Sequence, residues 1–241
     1  MKKIKLGSLL VGGYVAEPGC YCGNCSDISI GDTVPRLELA WLKHKGLLIA
    51  DKCACTNISW EELNSNGFIW GRPVRIDGRY YLCRSLSVGA GKDELNEWGD
   101  LLRTDEDAEV GKTEGDLFIW SDAYFWGQEQ TNPNKAVYAV RGFKSPWYFA
   151  GFNGGSKSWQ LGFRPVLEHL LAPSEISERI VGRTATLYGP GETFVAGRVT
   201  GIDDYDLVLS PDYLPHDCEW AIQRKNDMIV SRSQILCAKK G

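Results

Sequence analysis

The sequence predicts an α+β protein that is mostly β, and three observations carry that prediction. Among 241 residues there are 27 glycines, nine tryptophans and ten tyrosines. That load of turn formers and flat rings suits strands joined by long loops better than a helical bundle. Short apolar runs bounded by Gly, Asp, Asn or Lys recur along the chain, and only three short segments carry helix signals. Asp77-Gly78 sits between two alternating runs and supplies the positive φ that a two-residue hairpin loop requires.

Taken in order, residues 4–15 predict a strand interrupted by a glycine turn. Lys2, Lys3 and Lys5 ahead of an apolar stretch also fit a secretion signal. However, Gly7, Gly12 and Gly13 break the stretch, Glu17-Pro18-Gly19 before Cys20 departs from a lipoprotein cleavage site, and Tyr14 is too large for the small-residue position of a site ending at Ala16. The strand is preferred and a cytoplasmic location in a host cell is expected, with secretion kept as the alternative. No segment has the apolar length needed to span a membrane. Strands follow at 28–35 and 47–50. Ser59, with Glu62 three residues on, predicts a capped short helix. A hairpin is expected over 74–84 and a helix over 96–102. The acidic run 105–109 reads as a solvated loop, an acidic metal site being the less favoured alternative.

Strands are expected again at 139–143 and 162–167, and a boundary near Ala172-Pro173-Ser174. A helix start at 174–178 precedes five short strands, at 184–188, 193–200, 205–209, 220–223 and 228–230, which suggest a small, strongly bent barrel. The expected domains are a β-rich segment with cysteine knuckles over 1–66, a second domain over 67–172, and the small barrel over 178–241.

Eight cysteines are unevenly placed. Cys20, Cys22 and Cys25 lie close together, and Cys53 and Cys55 form a second group. Thiolate pairs on tight glycine turns suit a tetrahedral structural zinc, which takes four ligands from two short knuckles. Five thiols for four places leave that set undefined, and free thiols or disulfides account for the same residues. Cys83, Cys218 and Cys237 are expected to pack.

The densest feature lies between Gly142 and Gly162, where Trp147, Tyr148, Phe149, Phe152, Asn153, Lys157 and Trp159 crowd among glycines. Rings offer contact area at low entropic cost, and Asn, Ser and Gly adapt their hydrogen bonding, so the run suits a binding surface. The same rings also suit a core. A nucleotide would find stacking platforms in Trp147 or Trp159 and phosphate partners in Lys157, Arg141 or Arg164. For Arg141 and Arg164 a structural ion pair is the stronger reading.

Arg141-Gly142, followed later by Gly162-Phe163-Arg164-Pro165, resembles the closing signature of the C-type-lectin-like domains of formylglycine-generating enzymes and of diversity-generating retroelement target proteins. The resemblance covers residues 67–171, with Trp70-Gly71-Arg72-Pro73-Val74 and Asn96-Glu97-Trp98 included. Together with Trp126-Gly127-Gln128-Glu129, the chain is similar to proteins of phages and prophages. The enzyme branch uses a late cysteine pair, and no cysteine lies between Cys83 and Cys218. The resemblance therefore implies the binding branch, in which residues between the two strands face the ligand: here Trp147, Tyr148, Phe149, Phe152, Asn153, Lys157 and Trp159, with Arg141 added as a candidate phosphate partner to make eight expected ligand-binding residues.

From Ile180 the chain resembles an Sm-like barrel, with Gly182-Arg183 opening it and residues 201–209 as its third strand. That family forms RNA-binding rings using an asparagine near this Asp206. A carboxylate there would repel phosphate, so RNA binding is disfavoured while homo-oligomerisation remains expected. The formal charge of −4 likewise gives no general attraction to nucleic acid.

No Gly-x-Ser-x-Gly elbow or Walker loop is present. Gly89-Ala90-Gly91-Lys92-Asp93 lacks the length of a phosphate loop. His44, His169 and His216 read as surface or packing residues, and neighbours such as His216-Asp217-Cys218 rarely converge as a triad. The expectation is a non-catalytic binding protein with a protein or small-molecule partner. Its sharper form is counter-defence capture of a host immune factor or nucleotide signal. The alternatives are a virion or surface receptor-binding component and an RNA-binding Sm-like protein.

Overall fold

The structure, a computed structural model, describes residues 3–24, 27–104, 119–120, 122–213 and 218–241. In chain order its elements are β1 (Lys3–Val11), β2 (Tyr14–Ala16), β3 (Cys20–Tyr21), β4 (Ile28–Gly31), β5 (Glu38–His44), β6 (Leu47–Ala50) and β7 (Cys55–Thr56), then α1 (Trp60–Ser65), β8 (Arg72–Ile76), β9 (Arg79–Ser85) and α2 (Glu97–Thr104). They continue with β10 (Tyr124–Asn132), β11 (Val137–Gly142), β12 (Ser145–Asn153), β13 (Leu161–Phe163) and β14 (Pro165–His169). The remainder holds β15 (Thr184–Tyr188), β16 (Phe194–Ile202), β17 (Asp206–Pro211), β18 (Ala221–Arg224), β19 (Asp227–Ser231) and β20 (Cys237–Lys240). The protein is mostly β with few helices, as the composition predicts.

The chain divides into two compact units, 1–78 with 82–168, and 79–81 with 169–241. One sheet runs β2-β1-β5-β6-β14-β9-β8, with β4 also on β1, and another runs β12-β11-β10-β13-β7-β3. Strands from both sides of residue 66 share these sheets: β6 pairs with β14 through Ile49↔Val166, and β7 with β13 through Cys55↔Phe163. The segment 1–66 is thus not a separate compact unit, because two of its strands, β6 and β7, also pair with strands after residue 160.

Local signals act where expected. The Asp77-Gly78 turn has φ of 50° and 80°. Ser59 caps α1, its side chain accepting from the Glu62 amide while the Glu62 carboxylate accepts from the Ser59 amide. Trp98, Phe125, Leu86, Val88, Ile49 and Val166 form a buried core in the first unit. The second unit holds one antiparallel sheet, β18-β19-β17-β16-β15-β20, curled over Leu187, Val195, Val199, Leu207, Leu209 and Val230. A register shift between Val199 and Gly201 bends β16. Two departures stand out. In place of a helix at 174–178 there are two 3-10 turns, Pro173–Glu175 and Glu178–Ile180, and a sixth strand, β20, completes the sheet on β15.

Candidate functional site: an aromatic face on one sheet

The segment expected as a loop between two strands is itself a strand. β12 pairs antiparallel with β11, matching Arg141 to Phe149, Val140 to Ala150 and Tyr138 to Phe152. Because side chains alternate along a strand, this pairing sorts the predicted residues onto opposite faces. Phe149 and Trp147 fall with Arg141; Tyr148 and Phe152 fall with Tyr138 and Val140.

On the first face Arg141 is 2% exposed, and its guanidinium donates to the carbonyls of Val88 (2.9 Å from Nη2), Gly91 (3.0 Å), Lys92 (3.2 Å) and Trp147 (3.4 Å). It also lies over the Phe149 ring at 4.7 Å. Burial pulls its pKa down. This corrects the expectation that Arg141 contacts ligand: its donors meet carbonyls inside the fold. Phe149 packs on the core, and Trp147 lies under the Arg103 guanidinium at 5.7 Å. Arg164 is likewise buried, donating to the carbonyls of Ala50, Asp51 and Ile119 and to the Asp122 carboxylate.

The other face carries connected rings, with Tyr148, Ala150 and Phe152 half-buried and Val140 buried. Tyr124 lies at its centre, with ring centroids 4.9 Å from Phe143, 5.7 Å from Tyr148 and 5.5 Å from Phe152. Phe143 meets Trp159 edge-on at 5.9 Å, and Trp126 sits beneath Phe152 at 6.4 Å. Tyr124 and Trp126 are buried, Phe143, Tyr148 and Phe152 half-buried, and Trp159 is 60% exposed. Lys144 adds one cation, its Nζ 4.8 Å from the Tyr148 ring centroid and 3.4 Å from that hydroxyl. The hydrogen bond to Tyr148 is the main reason its pKa is raised, so the face carries a fixed positive charge.

The chain presents these groups by specific means. Gly142 and Phe143 turn from β11 to β12 with φ of 88° and 61°. A Cβ at Gly142 would come within 2.9 Å of the Trp120 carbonyl, so glycine is required there. Phe143 holds a left-handed conformation rarely taken by a bulky residue, and its amide is fixed on Trp120 O at 2.7 Å. Trp159 comes from a loop tied to α1. Glu61 N donates to Gly154 O at 3.1 Å, and Lys157 Nζ pairs with Glu62 Oε1 at 2.7 Å. Lys157 is therefore a tether rather than a ligand-facing cation. Asn153 is exposed and accepts from the Gly155 amide, shaping the turn. At the far end of the face Trp60 stacks on Tyr138 at 3.6 Å and covers it.

Of the eight expected residues, Tyr148, Phe152 and Trp159 meet on this face, whereas Asn153 alternates with Phe149 onto the other and serves the turn. Tyr124, Phe143 and Lys144 complete it and were not expected. Counting by two along β12 and back across the register would have separated the faces; residue type alone does not.

The cysteines are brought together only in part. Cys20 and Cys55 are register partners across the parallel β3–β7 pair, and a hydrogen bond to Cys22 pushes the Cys20 thiol up. Cys53 is fully buried near Asp122 and Arg164, and burial followed by the Asp122 charge raises it. Cys25, His216, Asp217 and the acidic run 105–109 lie outside the described residues. Among the described residues no group of three or more Cys, His, Asp or Glu side chains could hold a metal, and the seven described cysteines form no disulfide with one another.

No protein-family model, curated protein or solved structure matches this chain. Among the described residues no helix is long and apolar enough to cross a membrane.

Proposed function

We propose that the chain is a binding protein whose contact surface is the aromatic face of β10, β11 and β12. The observation that carries this reading is the continuous set of rings running from exposed Trp159 through half-buried Phe143 and buried Tyr124 to half-buried Tyr148 and Phe152, flanked by the Lys144 cation. Rings that contact one another yet stay partly exposed provide apolar and stacking area whose remaining surface a ligand can cover. Lys144 selects a ligand that offers an acceptor or negative charge beside a planar or apolar group. A nucleotide or an apolar segment of a partner protein meets both demands. The C-type-lectin-like and phage resemblances support the same reading, including capture of a host factor.

A saturation-transfer NMR screen of the full chain against nucleotides and short sugars tests it. The reading expects saturation on the planar group of a bound nucleotide, and its loss in Tyr148→Ser/Trp159→Ser with the fold retained. Equal transfer to the double variant would place the ligand elsewhere and remove the support.

A further inference from the structure

The second unit contains a cleft of ≈ 700 Å³, separate from the aromatic face. Its size falls within the range of small-molecule sites, about 300–1,000 Å³. One wall is the indole of Trp220. A side chain at Gly189 would collide with that ring, so the bare glycine forms its seat. The indole is also held by Nε1, which donates to the Thr193 hydroxyl at 2.6 Å, and that hydroxyl donates to the Pro190 carbonyl at 2.8 Å. The wall is thus rigid before any ligand arrives. Ile222, 68% exposed, and Ile229 add an apolar flank.

The charged groups lining this space are Asp206 and Glu219. Neither carboxylate has a hydrogen-bond or ion-pair partner among the described residues. The Arg232 guanidinium donates instead to the carbonyls of Asp203 and Ile176. Two carboxylates, a fixed indole and an isoleucine flank in one cleft are complementary to a cation on an aliphatic stem. The charge is attracted by the carboxylates and by the π-face of tryptophan, the strongest of the aromatic partners for a cation. The methylenes cover the isoleucines. An anion would meet repulsion from both carboxylates.

We propose that this cleft binds an alkylammonium group, supplied either by an aliphatic polyamine or by a lysine side chain. Isothermal titration calorimetry of the full chain with spermidine and with Nα-acetyl-lysine methylamide tests this and separates the sources. The expected result is saturable binding of at least one probe, weakened about tenfold or more in Asp206→Asn/Glu219→Gln. Tighter binding of spermidine assigns the polyamine, and tighter binding of the lysine derivative assigns a basic peptide. No saturable heat at millimolar concentrations of either probe, or equal affinity in the double variant, overturns the proposal. Should that variant misfold, the Trp220 indole N–H resonance of the wild type, assigned with Trp220→Phe, serves instead. It must shift on titration with one of the two probes, and a resonance that stays fixed with both overturns the proposal. Tyr148→Ser/Trp159→Ser leaves this binding unchanged, so the two sites fail or succeed independently.

Discussion

The β11–β12 hairpin carries rings and a cation on each of its two sides, and the sides are completed in opposite ways. On one, Arg141 is buried, lies on Phe149 and directs its donors at four backbone carbonyls. On the other, Lys144 is exposed and meets the Tyr148 phenol beside rings that remain half open. A cation enclosed by carbonyls serves the fold, since nothing else can reach its charge. A cation on an open ring surface keeps donors for a ligand. The difference lies in what meets each cation: backbone carbonyls beside a core on the first, and a phenol on the second, where Trp60 covers the Tyr138 end.

Variants on the two sides should therefore act on different quantities. The largest stability effect belongs to Arg141→Met. It leaves several carbonyls without their donor and should cost about 3 kcal/mol or more in urea unfolding. A loss under about 1 kcal/mol would show that the arginine side is not closed. Phe149→Ala on the same side should cost about 2–3 kcal/mol, less than a fully buried ring because it is half-buried. Across the hairpin, Trp159→Ser should change stability by less than about 1 kcal/mol, since the ring is largely in solvent, while weakening ligand binding. A melting midpoint that drops as far as for Phe149→Ala would make Trp159 part of the packing.

The smallest effect concerns the tether. Burial would raise the Glu62 pKa, but hydrogen bonds from Lys157 and Ser59 outweigh it and hold the carboxyl below its usual 4.5. A depressed folded-state pKa gives stability that is fully present above 4.5 and lost as pH falls through the lower, folded value. Lys157→Met should cost about 0.5 kcal/mol at neutral pH and reduce that acid-induced loss. An unchanged pH profile would show that the ion pair does not hold the Trp159 loop.

Much of the fold was legible because its signals are local. The Asp77-Gly78 turn, the Ser59–Glu62 capping box and the short strands after Thr184 need only near neighbours to act. The shared sheets were not legible, because β6 finds β14 and β7 finds β13 across more than a hundred residues, and no local pattern encodes that pairing. The candidate site lies between these cases. Tyr148, Phe152 and Trp159 were visible as an aromatic run, but Arg141, Trp147 and Phe149 were grouped with them because a loop has no faces. Recognising 145–153 as a strand supplies the alternation that divides them. Tyr124 entered only through the pairing of β10 with β11. Lys157 was read as a free cation because Glu62, its partner, lies 95 positions earlier.

The most direct test of the aromatic face is native mass spectrometry of the full chain purified from its own host background, beside two variants. Tyr148→Ser/Trp159→Ser opens the outer side, and Trp147→Ser alters the rim of the core side. The account predicts an added ligand or partner mass on the wild type and on Trp147→Ser, and its absence from the folded double variant. A wild type without added mass, or the same mass on all three proteins, would contradict it.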